Sequence, residues 1–298
     1  MKRVVSVSIG SSKRDHAVQT ELLGVPFTIE RRGTDGDLDR AIAVLHELDG
    51  QVDAIGLGGL DVFLYVGKKR YTIGDGLKML EAVKVTPAVD GSGIKNTLER
   101  RVIQQLGRTG DLLRPGSKVL LVSALDRFGM AEALVDLGCD VVFGDLIFAM
   151  GMDYPIKSLA ELEMLADRYK SRFEKMPLSM LYPTGKAQEE APIERHPQYY
   201  HDADVICGDF LLIKKYMPAD LTGKTVITNT TTTADVEALR ARGVATLVTT
   251  TPVLNGRSFG TNVLEAALVA LSGKKSLEPT EYEALIDQLG LQPNVRAL

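Results

Sequence analysis

Lys118-Val119-Leu120-Leu121-Val122-Ser123-Ala124-Leu125-Asp126-Arg127-Phe128-Gly129 is the stretch that decides how this chain is read. The apolar run after Lys118 has the character of a strand buried on both faces. Small Ser123 and Ala124 turn the chain, and Arg127 to Leu137 continues at helical spacing, with Gly138 as the C′ residue that ends the helix. Val141-Val142-Phe143 is a second strand, closing on Gly144-Asp145. Strand, tight turn, helix, strand and terminal acid is the order of a dinucleotide-binding unit.

Asp145 stands 22 positions after Ser123, near the spacing of about 20 at which an acid meets a ribose hydroxyl and favours NAD over NADP. The turn departs from G-x-G-x-x-G. Only Ser123, Ala124 and Gly129 are small; Leu125 holds the backbone off a pyrophosphate, and Asp126 adds negative charge while serving as a helix N-cap. Arg127 offers a phosphate partner. The expected cofactor residues are Ser123, Ala124, Asp126, Arg127, Gly129 and Asp145, joined by Thr228, Thr230 and Thr250 from later strand ends. The alternative is a domain that keeps the fold and has lost conventional dinucleotide binding.

Working outward, Thr225–Thr228 and Thr246–Thr249 read as further strands around a helix at Asp235–Arg242, with helices at Asn262–Leu271 and Glu281–Leu289. Ser158 and Glu161 form a capping box before a long helix. Leu178 to Tyr200, with Pro183, Pro192 and Pro197, reads as a functional loop or lid, or as a plain surface excursion. Toward the N-terminus, Arg3–Ile9, Phe27–Glu30, Val52–Leu57 and Val85–Val89 read as strands, Leu38–Leu48 and Lys95–Gln105 as helices, and Val62–Val66 with Arg70–Ile73 as a hairpin. Gly107–Gly116 reads as a linker. The expected fold is α/β: an N-terminal α/β substrate domain at 1–110, a Rossmann-like NAD(P)-binding domain with a parallel doubly wound sheet at 111–275, and a C-terminal helix at 276–298 that packs back on the first domain.

The 298 residues carry a net charge of −4 and 45% apolar residues. That balance supplies cores and no basic field, so neither nucleic acid nor a membrane surface is an expected partner. Cys139 and Cys207 lie in apolar runs without metal spacing and read as buried thiols. With no signal-type or spanning segment, the expected location is cytoplasmic, and a homodimer is a fair prior. His196 and His201 give only a weak metal signal, and no metal is expected.

Asp90-Gly91-Ser92-Gly93-Ile94-Lys95-Asn96 sits at a strand-to-helix junction, where ligands of open α/β sheets bind. Asp90 is the candidate acid/base and Lys95 its assistant, with Ser92 and Asn96 toward substrate. Ser11, Ser12 and Lys13 form a candidate anion nest. Arg257 and Asn262, at the start of a late helix, complete the substrate set. Each of these clusters also reads as ordinary turn and cap chemistry.

Three stretches, Ser8 to His16, Asp90 to Gly93 and Gly256 to Asn262, resemble the bacterial quinate/shikimate 5-dehydrogenase-like family along most of the chain. Asp90 and Gly93 match the Asp and Gly of that family's N-T-D-x-x-G motif; Ala88 and Val89 depart from it, and the family's P-x-K lysine has no counterpart. The layout is also similar to that of long-chain acyl carrier protein reductases, with Gly58-Gly59 and Asp90-Gly91-Ser92 in matching places. The resemblance implies an NAD(P)-dependent oxidoreductase acting on a small polar hydroxy or oxo compound. The competing expectations are a non-catalytic nucleotide- or metabolite-binding protein and another chemistry, such as acyl or phosphate transfer, on the same fold.

Overall fold

Two parallel-containing sheets arise from two runs of alternating strands and helices. The computed structural model describes every residue except 174, 176–184, 186–189 and 255–256. The first run is β1 (Lys2–Ser8), β2 (His16–Leu22), β3 (Val25–Gly33), α1 (Leu38–Leu48), β4 (Ala54–Gly58), the hairpin β5 (Phe63–Val66) and β6 (Lys69–Thr72), α2 (Gly74–Glu81) and β7 (Ala88–Val89). Its sheet has the order β2-β3-β1-β4-β7, parallel except for β2. Helix α3 (Ser92–Thr109) leads to the second run: β8 (Lys118–Leu121), α4 (Phe128–Asp136), β9 (Asp140–Phe143), a π turn at Asp145–Ala149, α5 (Leu159–Phe173), α6 (Pro197–Asp202), β10 (Val205–Cys207), α7 (Phe210–Tyr216), β11 (Thr225–Thr228), α8 (Thr233–Ala241) and β12 (Thr246–Thr249).

The chain then forms the short hairpin β13 (Val253–Leu254) and β14 (Arg257–Ser258), α9 (Thr261–Ser272), α10 (Pro279–Gln288) and β15 (Asn294–Ala297). The second sheet runs β15-β12-β11-β10-β8-β9, with β15 alone antiparallel. The protein is thus a two-domain α/β molecule with a doubly wound second sheet, as the strand–helix alternation requires.

Side-chain alternation distributes each strand between two layers. Val5 and Val7 of β1, with Val119 and Leu121 of β8, enter one continuous core that spans both sheets. Val4 faces a separate layer under α9, and Leu120 one under α7. The return to the first domain comes at α9, which packs on β1 and β4, before the segment from residue 276. Gly91 permits this approach: its φ is +94°, and a Cβ there would lie 2.6 Å from the Asn262 amide nitrogen.

Three elements differ from the sequence reading. Strand β2 pairs with β3 although its residues carry no continuous apolar face. Strand β15 is a four-residue edge whose side chains are all exposed, so no periodicity marks it. The expected strand at Val85–Val89 shrinks to Ala88–Val89 because the Asp49 carboxylate takes the amides of Lys84, Val85 and Thr86 at 2.7–3.2 Å. The expected loop or lid at 178–200 falls largely outside the described residues; its described end forms α6.

Candidate functional site

In both sheets the first strand lies between strands that run off in opposite directions, which makes a topological switch point at its C-terminal end. In the first sheet it lies between β1 and β4, at Ser8 and Gly58-Gly59; in the second, between β8 and β10, at Ser123-Ala124 and Gly208-Asp209. The two ends face each other across a cleft with a cavity of about 120 Å³. Its walls include Ser6, Ser8, Gly58 and Gly59 from the first sheet and Asp209, Asn229 and Thr230 from the second. Arg14 reaches across and donates to the Thr230 carbonyl at 3.2 Å; on the first-sheet side, where α9 packs on β1 and β4, Asn262 Nδ2 donates to Ser6 Oγ at 2.7 Å.

An ion network forms the floor. Lys95 Nζ lies 2.7 Å from Asp61 and 3.7 Å from Asp126. Arg127 pairs with Glu99 and reaches Asp209 at 3.3 Å. Burial works to lower both cations, yet the surrounding carboxylates hold both above their ordinary values. Asp61 is pushed up to about 6, by burial first, while Lys95 opposes that shift. Asp209 also caps α7, accepting from the Leu211 amide at 2.9 Å.

Of the residues expected from sequence, Asp90, Lys95, Asp126, Arg127, Thr230 and Asn262 reach this cleft. Asp90 is structurally committed. Oδ2 accepts from the amides of Val62 and Phe63 at 2.6 and 2.9 Å, and Oδ1 accepts from the amide and hydroxyl of Ser92 at 3.0 and 2.5 Å. Ser92 is therefore Asp90's partner, and Asn96 packs against Gly129 where α3 crosses α4. Ser11 caps the short turn at Ser12–Arg14, Ser12 donates its amide to Asp35 at 2.7 Å, and Lys13 is exposed. Arg257 lies in β14. Sequence reasoning missed Arg31, Asp61 and Asp209. For the two acids the available signal was positional: Asp209 directly follows Gly208, and Asp61 stands two residues after Gly59, each just past a strand end.

The dinucleotide expectation is corrected by the second switch point. Asp145 does not present its carboxylate to a ribose. It turns inward and accepts from the Ala124 amide at 3.0 Å and the Leu125 amide at 3.0 Å. These are the amides a phosphate would need, so the protein's own carboxylate fills that place. Burial pushes Asp145 up to about 7, against the lowering pull of those amides. Ser123 donates to Asp126 at 2.6 Å, Gly129 is a helix-crossing contact, and Arg127 is spent on Glu99 and Asp209. Thr228 donates to the Gly208 carbonyl at 2.7 Å, Thr230 to that of Phe259 at 3.3 Å, and Thr250 is buried behind the strand ends. The cofactor residues read from sequence do not form an NAD or NADP site.

No curated protein matches the chain. Among solved structures, an ABC transporter solute-binding protein from Burkholderia multivorans is 14% identical, covering 100% of this chain and 99% of its own, at a TM-score of 0.38. One from Actinobacillus succinogenes, with bound D-allose, is 9% identical over 99% and 97%, at 0.37. An NAD-dependent malic enzyme from Thermotoga maritima is 11% identical over 97% and 83%, at 0.33. Likenesses this distant assign no activity to the chain. The family models that match are not dehydrogenase models, so the quinate/shikimate 5-dehydrogenase-like assignment, the likeness to acyl carrier protein reductases and the oxidoreductase, NAD(P)-binding reading built on them are withdrawn. One model, a domain of unknown function designated DUF8753, matches residues 3–90; the other matches residues 93–298, and the chain belongs to that family, the domain of unknown function DUF8754.

Proposed function

We propose that the cleft holds a small, uncharged, hydroxyl-rich molecule and does not transform it. The observation that carries this reading is Asn229. It stands just past β11, is 4% exposed, faces the cleft, and its Oδ1 has no hydrogen-bond partner among the described residues. A buried acceptor without a donor costs about 1–3 kcal/mol, and a ligand hydroxyl relieves that cost.

The charges point the same way. Among the described residues of the lining, Arg14, Arg31, Lys95 and Arg127 are matched by Asp61, Asp90, Asp126 and Asp209, so no surplus sign asks for an ion. Hydroxyls donate and accept, which suits walls that alternate carboxylates, amides and guanidinium groups. The candidate acid/base groups are engaged: Asp90 accepts four hydrogen bonds, and Lys95 stays protonated between two carboxylates.

Calorimetric titration with neutral pentoses, hexoses and alditols, beside the matching sugar acids and NAD, tests the reading. At least one neutral compound is expected to bind, and Asn229→Ala to weaken it about tenfold, the equivalent of one hydrogen bond to a buried group. Binding of charged compounds alone, or unchanged affinity in the variant, overturns the proposal.

A further inference from the structure

A second cavity of about 200 Å³ lies on the far side of Asp90 from the cleft. Its inner wall is Glu265 of α9, its sides are Tyr65 of β5 and Tyr282 of α10, and its mouth carries Arg70 and Lys275. Glu265 is 4% exposed. Its Oε1 accepts from the Tyr282 hydroxyl, while Oε2 has no well-formed hydrogen bond among the described residues. Native proteins seldom leave a buried polar atom in this condition.

We infer that this cavity is a second binding site, taking a small zwitterion of the free amino acid type with its ammonium group on Glu265. The inner end is acidic, with Glu265 and Asp90 together, and Asp90's oxygens are already occupied by Val62, Phe63 and Ser92. Glu265 Oε2 is therefore the acceptor left for a ligand. The outer end is basic: the Arg70 guanidinium lies 4.5 Å above the Phe63 ring, and Lys275 is exposed beside it. A molecule with a positive and a negative end matches this order, whereas a simple amine meets two cations at the entrance. Tyr65 and Tyr282 line the sides of the cavity, and aromatic rings attract an ammonium group.

The groups facing Glu265 give the site a pH signature. Burial, then Asp90, pushes its carboxyl up to about 8, while the Tyr282 hydroxyl, the Gly91 amide and Lys95 pull it back. Tyr65 faces it from β5. An arriving ammonium stabilises the carboxylate and expels its proton, so affinity rises as pH approaches about 8 and levels off above it.

The experiment is calorimetry with glycine and L-alanine, using propylamine and propionate as half-molecules, in two buffers of different ionisation enthalpy. L-alanine is expected to bind with proton release, propylamine weakly and propionate not at all. Glu265→Gln is expected to lose at least about tenfold in affinity, as the loss of a charged acceptor requires, while melting cooperatively. Arg70→Gln, an exposed change that leaves the core intact, brings L-alanine down to the level of propylamine. Asn229→Ala, which alters the cleft and not this cavity, binds L-alanine as the parent does; a loss there places the zwitterion in the cleft and overturns the inference. Absence of binding in the folded parent, affinity that falls as pH rises, or equal affinity in Glu265→Gln also overturns it.

Discussion

The two switch points of this molecule share a topology and have opposite contents. Between β1 and β4, Gly58 and Gly59 carry no side chain and line the open cleft. Between β8 and β10, Asp145 occupies the amides of Ala124 and Leu125 and Arg127 is locked to Glu99, so the same position is filled from within. After β1 the Ile9 amide goes to the Gly58 carbonyl and the Gly10 amide to the Ser8 hydroxyl, whereas after β8 the turn amides go to a carboxylate, and which partner takes them depends on one residue's direction. The difference teaches that a fold's binding position is a place where amides need a partner, and that the protein can supply the partner itself.

Breaking the filled side carries the largest expected effect. Arg127→Met leaves Glu99 buried without its cation, and loss of one member of a buried pair costs about 3–5 kcal/mol; urea denaturation measures it. The double variant Arg127→Met with Glu99→Gln recovers much of that loss if the uncompensated charge is the cause. A double variant no more stable than the single one assigns the loss to packing.

Asp145→Ala frees the Ala124 and Leu125 amides and is expected to cost about 1–3 kcal/mol, the penalty for a buried donor left without an acceptor. The comparison of switch points is sharpened by adding phosphate. If Asp145 stands in for an anion, millimolar phosphate raises the melting temperature of this variant more than that of the parent. Equal shifts break the analogy.

Proton linkage gives a third, smaller effect. Asp145 has a folded-state value of about 7, above the ordinary carboxyl range. Its contribution to stability is therefore fully present below about pH 4, the unfolded value, and is lost as pH rises through about 7. Asp145→Asn, which cannot titrate, is expected to lose less stability than the parent across that window in denaturant titrations at fixed ionic strength. Parallel curves would remove Asp145 from the pH response.

On the open side the effects are modest. Asn262→Ala removes the hydrogen bond to Ser6 between α9 and β1 and is expected to cost about 1 kcal/mol, read by chemical denaturation. Lys13→Ala, at an exposed position away from the cleft walls, is expected to change stability by no more than about 0.5 kcal/mol. A larger effect would return the first loop to the site.

Much of the fold was legible because buried parallel strands are local signals. Val119 to Val122 and Val141 to Phe143 announce themselves as apolar runs, and the caps at Ser158 and Gly138 mark helix ends. Strand β15 was not legible, since an exposed edge strand has no buried face to pattern. The candidate site was legible in part: Asp90, Lys95 and Asn262 were found as junction residues, and Asp61 and Asp209 were passed over. Those two look like ordinary turn residues until two strand ends far apart in sequence are brought face to face.

The amino-acid sequence by itself determined two α/β runs, their strands and most of their helices, because side-chain periodicity and cap chemistry act over a few residues. Only the tertiary structure decided that α9 returns to the first sheet, that two switch points share one cleft, and that Asp145 points inward instead of toward a ribose. Spacing places a carboxylate at a strand end, but its partner is chosen by the packing around it. Here the nearest unpaired donors are amides of its own domain, reached without bringing a ligand out of solution.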